Sequence, residues 1–155
     1  MRDDAGPHEP HAARRRWMAV LARADAAELA ALLERHAAVP HYTRLRGPEA
    51  GLVMVRGRTG GGGAPFNLGE MTVTRCSVRT EQGLVGHAYV AGRDQRQAEL
   101  AALLDAMLQD PALTFELHAK VIEPLADKQR AGRADVAGKA AATKVQFFAM
   151  RNMRT

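Results

Sequence analysis

Residues 72–90 read TVTRCSVRTEQGLVGHAYV, and this stretch decides the fold. β-Branched and aromatic residues recur along both halves, and Glu81-Gln82-Gly83 separates them as a tight turn separates the strands of a hairpin. The pattern predicts two antiparallel strands, one over residues 68–80 and one over residues 84–92.

The residues on either side extend this pattern. Two further strands are predicted over residues 41–46 and 51–58, joined by Gly47-Pro48-Glu49-Ala50, and the glycine run Gly60–Gly63 follows them. Short links between consecutive strands favour an antiparallel meander. The terminal segment Thr143–Arg151 is also β-like and is a candidate fifth strand.

Helical patterns flank the strands on both sides. Apolar residues at helical spacing predict helices over residues 14–22, from Asp25, and from Asp94. Both aspartates have the spacing of an N-cap. Further helices are predicted over residues 113–122 and from Pro124 to about residue 141. The fold class is therefore α+β, an antiparallel four- to five-stranded sheet flanked by N-terminal helices and a C-terminal helical region.

Length and composition indicate one domain with a modest core. The 155 residues suit a single domain, predicted over residues 13–151 with flexible tails at residues 1–12 and 152–155. Hydrophobic residues make up 46%, but 30 of them are alanine and only 31 residues are Leu, Ile, Val or Phe. Such a chain buries limited apolar surface, so we expect a partner to complete its core.

Several classes of protein are excluded. No apolar run is long enough to cross a membrane, and the N-terminal segment lacks the apolar centre of a secretory signal. Cys76 is the single cysteine, which excludes an internal disulfide framework and a multi-cysteine zinc site. We expect Cys76 to be a buried, inert thiol in a cytoplasmic protein.

The basic charge is concentrated in arginine. The net charge is +5, and only 4 of the 22 basic residues are lysine. Arginine suits bidentate binding of phosphate or carboxylate, although a GC-rich genome accounts for the excess equally well. Three pairs of arginines are predicted to share a strand face: Arg44 with Arg46, Arg56 with Arg58, and Arg75 with Arg79. Such a face either binds polyphosphate or an acidic protein surface, or is simply solvated.

The candidate phosphate- or partner-binding residues are Arg56, Arg58, Arg75, His87 and Arg93. Arg56 and Arg58 precede the glycine run, whose backbone amides can cradle phosphate, although the Gly-Lys-Ser/Thr of a Walker motif is absent. His87 is either an acid–base or phosphate-binding group or a hydrogen-bonded structural histidine.

No catalytic residue and no metal site are predicted. The sequence contains no HExxH, no Gly-x-Ser-x-Gly and no paired-carboxylate motif. Trp17 is expected to be a core or interface anchor. Phe147 and Phe148 are adjacent on a predicted strand, so one of them would face outward, toward a partner.

Short motifs distributed in order over residues 14–151 support a family resemblance. The longest is GLVMVRGRTGGGGAPFNLGEMTVTR, at residues 51–75. The others are Arg14-x-x-Trp17-Met18, Gly86-His87-x-Tyr89-Val90-x-Gly92-Arg93-Asp94, Ala98-Glu99, Leu104-Asp105-Ala106-x-Leu108 and Val145-x-Phe147-Phe148-x-Met150-Arg151. With these motifs the chain resembles the PhnG family, a subunit of the bacterial carbon–phosphorus lyase core complex.

The resemblance implies a role in organophosphonate breakdown. The chain would be an accessory or scaffold subunit that supports attack of an alkylphosphonate on the ribose C1′ of MgATP. Adenine leaves, and with methylphosphonate the product is ribose 1-methylphosphonate 5-triphosphate. MgATP would be a substrate of the complex, and this chain would bind no cofactor. The implied partners are nucleosidase-type, radical and small scaffold subunits in a two-fold symmetric hetero-oligomer.

Two other functions are weighed from the residues. The net charge of +5 suits a basic phosphate- or nucleic-acid-binding module, but RNA-binding sheets usually offer stacking aromatics, and aromatic residues make up only 5% here. A stand-alone phosphotransfer enzyme would rely on Arg56, Arg58, His87 and Arg93. No membrane partner is expected.

Overall fold

The computed structural model describes residues 9–58 and 63–143. Within these ranges the chain forms five α-helices, one π-helical turn and three strands. In chain order the elements are α1 (Glu9–Leu21), α2 (Ala26–His36), β1 (Tyr42–Gly57), β2 (Phe66–Thr80), β3 (Val85–Ala91), α3 (Gln95–Met107), α4 (Pro111–Leu117), the π-helical turn (His118–Ile122) and α5 (Glu123–Ala142). None of the described helices is long and apolar enough to cross a membrane.

The sheet is antiparallel with strand order β1-β2-β3, so the described residues form three strands, and the prediction of four to five was wrong. The two strands predicted on either side of Gly47-Pro48 are one continuous strand, β1. Among the described strands β1 lies at the edge of the sheet, where proline is tolerated, and irregular register absorbs the extra residues. Most of the candidate fifth strand, residues 144–151, lies outside the described residues.

One predicted pair of arginines does not share a face. Arg44 is opposite Val78 and Arg46 is opposite Ser77, so the register shifts between them. Because neighbouring residues of a strand point to opposite faces, this irregularity turns Arg44 toward α3 and Arg46 toward the other face. Arg75 and Arg79 do share a face, because the pairing of β2 with β3 is uninterrupted.

Helix α3 covers one face of the sheet and carries most of the core. All residues from Ala101 to Leu108 are buried. The close approach of β3 to this helix depends on Gly86, where a Cβ would collide with the carbonyl oxygen of Ala102 and lie 2.6 Å from the amide nitrogen of Ala106. Helices α1 and α2 and the π-helical turn complete the core with Leu21, Leu29, Leu33, Val121 and Ile122.

Individual residues explain where several of the helices begin and end. The carboxylates of Asp25 and Asp94 accept backbone N–H bonds at the starts of α2 and α3, as predicted. Helix α1 begins at Glu9, ahead of the predicted start at residue 14. The π-helical turn ends at Ile122, two residues before Pro124, and the Glu123 N–H donates to the carbonyl of His118. This wider turn accommodates a proline that cannot donate a hydrogen bond.

Candidate functional site

The sheet face that α3 leaves open carries two of the predicted site residues, Arg75 and His87. Arg75 lies opposite Glu49 on one side and Tyr89 on the other. The Arg75 Nε donates to the Glu49 carboxylate at 2.7 Å, and side-chain hydrogen bonds to Tyr89 and Glu49 raise the pKa of Arg75. Glu49 also forms an ion pair with Arg46 at 3.4 Å. The positive charge of this face is therefore partly neutralised within the chain.

His87 has a solvent-exposed ring and a buried backbone contact. Its Nδ1 lies 2.8 Å from the Ser77 hydroxyl oxygen, while its backbone N–H donates to the Asp105 carboxylate at 2.9 Å. A cavity of about 250 Å³ lies beside it, lined mainly by apolar residues of α1 and β3. The hydrogen-bonded structural reading of His87 fits these contacts.

Asp105 is a fully buried carboxylate to which the sequence analysis assigned no role beyond its place in a family motif. It accepts bonds from Arg14 at 2.7 Å and from the Trp17 indole N–H at 2.8 Å, besides the bond from His87. Arg14 also donates to the carbonyl of Val85. These contacts join α1 and α3 to the edge of β3. A lone Asp inside the apolar run Leu103-Leu104-Asp105-Ala106-Met107 was the available signal.

Trp17 belongs to the core of this chain. Its side chain is 7% exposed, and its ring lies edge-on to the ring of His118 with centroids 5.4 Å apart. Its burial agrees with the role of core anchor, and its role as an interface anchor stays a prediction.

A second ion pair joins β1 to α3. Arg44 donates to both oxygens of Glu99, at 2.7 and 2.9 Å, and the Tyr42 hydroxyl donates to the same carboxylate at 2.9 Å. These bonds, led by the one from Arg44, hold the pKa of Glu99 below its usual value. The pKa of the nearby Cys76 thiol is raised, mainly because the thiol is buried. Cys76 is 1% exposed, which confirms the prediction of a buried thiol.

The structure does not bring the five candidate residues together. Arg56 is opposite Asn67, eight positions along β2 from Arg75, or about 26 Å at the rise of a strand. Arg58 follows the end of β1. Arg93 follows β3 and lines a groove with Leu52 and Thr72. The arrangement therefore offers several separate basic contacts, and Phe147 and Phe148 lie outside the described residues.

The paired outer ends of β1 and β2 form a surface that the sequence reasoning missed. Residues 52–57 and 66–72 pair with each other beyond the end of β3, and we call them the β-ribbon. Six large apolar side chains on it are exposed: Leu52, Met54, Val55, Phe66, Leu68 and Met71. The signal was the run Leu52-Val53-Met54-Val55, which is apolar at successive positions, so both faces of the strand are apolar.

The exposed groups of the described residues are suited to binding a partner. Within residues 9–58 and 63–143, no three His, Cys, Asp or Glu side chains are grouped so that they could hold a metal ion. The buried carboxylate is saturated by donors from the chain itself. The exposed groups are arginines and apolar side chains, both of which are favoured in protein interfaces.

Comparison with known proteins agrees with the resemblance noted from the motifs. The model of a family described as phosphonate metabolism protein PhnG matches residues 12–152. Alpha-D-ribose 1-methylphosphonate 5-triphosphate synthase subunit PhnG of Rhizobium meliloti (strain 1021) is 46% identical over 153 residues. That alignment covers 96% of this chain and 92% of the relative.

Proposed function

Because the chain belongs to the phosphonate metabolism protein PhnG family, we propose that it is a subunit of an alpha-D-ribose 1-methylphosphonate 5-triphosphate synthase. The observation that carries the proposal is the 46% identity to such a subunit over almost the full length of both chains.

In this proposal the assembled synthase transfers the ribose 5-triphosphate group of MgATP to an alkylphosphonate and releases adenine. The chain itself is an accessory subunit. The separation of Arg56, Arg75 and Arg93 supports this role, because groups that act on one triphosphate would have to converge. So does the use of Asp105 in holding α1 to the sheet edge, since a carboxylate occupied by Arg14 and Trp17 is not free for acid–base chemistry.

The proposed partners are the other subunits of the complex: the nucleosidase-type, radical and small scaffold chains. We propose a two-fold symmetric hetero-oligomer in the cytoplasm, with MgATP as substrate and no cofactor held by this chain. The exposed apolar side chains of the β-ribbon support a partner, because large exposed apolar patches mark interaction surfaces.

Reconstitution with the other synthase subunits from the same organism tests this function. Adenine release from MgATP and methylphosphonate is expected from the complete set and not from the set without this chain. The relative from Rhizobium meliloti, added in place of the chain, is the matched control, and partial restoration is expected. Adenine release by the chain alone would overturn the accessory role, and full activity of the set without it would overturn the function itself.

A further inference from the structure

We propose that another synthase subunit clamps the β-ribbon on both faces, in an apolar slot whose far end carries carboxylates that pair with Arg56 and Arg58. The inference rests on the proposed function and names the surface and the chemistry of the partner. Its basis is the combination of two-sided exposure, unpaired positive charge and the position of the β-ribbon outside the body of the fold.

Apolar side chains are exposed on both faces of the β-ribbon. On the face that continues the α3 side of the sheet, Leu52 is 64% exposed and Met54 is 57% exposed. On the opposite face, Met71 is 42% exposed and Val55 is 37% exposed. Strand β3 pairs with β2 as far as Val73, so among the described strands this part of β2 has β1 as its single neighbour.

Two-sided exposure determines the shape of the partner. A two-stranded hairpin without a covering layer is only marginally stable in water, and burial of its apolar side chains is the main favourable contribution available. A flat partner would cover Leu52 and Met54 and leave Met71 and Val55 in water, or the reverse. A slot that receives the β-ribbon covers both pairs at once.

The two arginines at the end of the β-ribbon favour a different protein, and not a second copy of this chain, as the partner. Neither Arg56 nor Arg58 forms an ion pair with any described residue, and Arg56 donates only to the carbonyl of Pro65, at 3.5 Å. A second copy carries a net charge of +5. The segment of residues 144–155 contains one lysine, two arginines and no acid. Neither complements the two arginines, whereas carboxylates on another subunit do.

Co-purification with the other synthase subunits from the same organism tests the two faces separately. Leu52→Thr alters one face and Met71→Thr alters the other, and threonine retains the strand propensity of both positions. Val39→Thr is the matched control, because Val39 is 51% exposed and lies outside the β-ribbon. We expect each β-ribbon variant to bind the subunits about tenfold more weakly than wild type, and the control to bind as wild type does.

The outcomes separate this inference from the proposed function. If the wild-type chain binds and either β-ribbon variant binds equally well, the two-sided clamp is overturned while the function stands. If the wild-type chain binds none of the subunits, both are overturned. If the isolated chain is a dimer that both variants make monomeric, while assembly with the subunits is unchanged, the occupant is a second copy and the clamp is overturned.

Reversing the charge of the two arginines tests whether carboxylates lie at the far end of the slot. Replacing Arg56→Glu and Arg58→Glu together is expected to weaken assembly about tenfold or more at low salt, with a smaller loss at high salt because ions screen the repulsion. Arg15→Glu, an exposed arginine on α1, is the control and is expected to assemble as wild type. Equal assembly of the double variant and the control would overturn the carboxylate contact.

Discussion

The two ends of β2 belong to one strand and have opposite surroundings. From Val73 to Thr80 the strand lies between β1 and β3 and under α3, and Thr74, Cys76, Val78 and Thr80 are all buried. From Phe66 to Met71 every residue is exposed. The exposed end is no less apolar than the buried end, since three of its six residues are apolar against three of eight. A covering layer, and not hydrophobicity, therefore separates the two ends. An apolar strand segment that no described element covers is suited to burial against a partner.

The largest effect on stability is expected where β3 lies closest to α3, the helix that covers the sheet. Gly86→Ala should destabilise the fold by about 3 kcal/mol or more, because the added Cβ meets the backbone of α3 and not a side chain that can move. Chemical denaturation measures the change. Gly51→Ala is the control, because nothing lies within 4 Å of a Cβ there, and a loss at Gly86 no greater than at Gly51 would contradict the close packing.

A smaller loss is expected from the buried carboxylate. Asp105→Asn should cost about 2 kcal/mol, since it breaks the ion pair with Arg14 and leaves the guanidinium without its counter-charge. The loss is below that of a fully buried pair because the Arg14 side chain is 30% exposed. Glu28→Gln, which removes a surface ion pair with Lys128, should change stability by less than about 1 kcal/mol. Equal losses of stability in the two variants would contradict a larger contribution from the buried ion pair than from the surface pair.

The Arg44–Glu99 pair predicts a pH dependence in the acid range. The folded-state pKa of Glu99 is lowered from its ordinary 4.5, so its contribution to stability is present above that value and is lost as the pH falls through the lower folded pKa. The stability difference between wild type and Glu99→Gln should therefore shrink from pH 6 to pH 3. Glu34→Gln on the exposed face of α2 is the control, and a difference that stays constant would contradict the pairing.

The smallest effect is expected on the β-ribbon of the isolated chain. Leu52→Ala should change the free energy of unfolding by no more than about 0.5 kcal/mol, because the side chain is 64% exposed. The same truncation in the body, Leu104→Ala, should cost about 2–5 kcal/mol, since Leu104 is fully buried. A comparable loss at Leu52 would show that the chain itself covers the β-ribbon.

Prediction from the sequence succeeded where local chemistry decides the structure. The Asp25 and Asp94 caps, the Glu81-Gln82-Gly83 turn and the apolar stripe of α3 all depend on residues close in sequence. It was wrong at Gly47-Pro48, which is typical of a turn but lies inside an edge strand, where a missing N–H costs no ladder bond. The irregularity there also separated Arg44 from Arg46, which no spacing rule detects.

The candidate site also divides into features that residues close in sequence predict and features that they do not. Arg75 and His87 were correctly placed on strands, but their partners, Glu49 and Asp105, lie 26 and 18 residues away. The role of Asp105 depends on three donors from two different elements, so the sequence showed only a polar residue in an apolar run. Pairing across such distances is a property of the register and of helix packing.

By itself, the sequence determined the α+β class, the hairpin of β2 and β3, the capped helices and, through its motifs, the family. These are encoded in neighbouring residues and in periodicity. Only the tertiary structure decided which apolar residues are covered, which arginines are neutralised and which carboxylate is buried. The physical reason is that burial and charge pairing depend on distances between elements that the chain order does not specify. The exposed end of β2 is no less apolar than its buried end, so apolar residues can form a core in one part of a strand and an exposed surface in another.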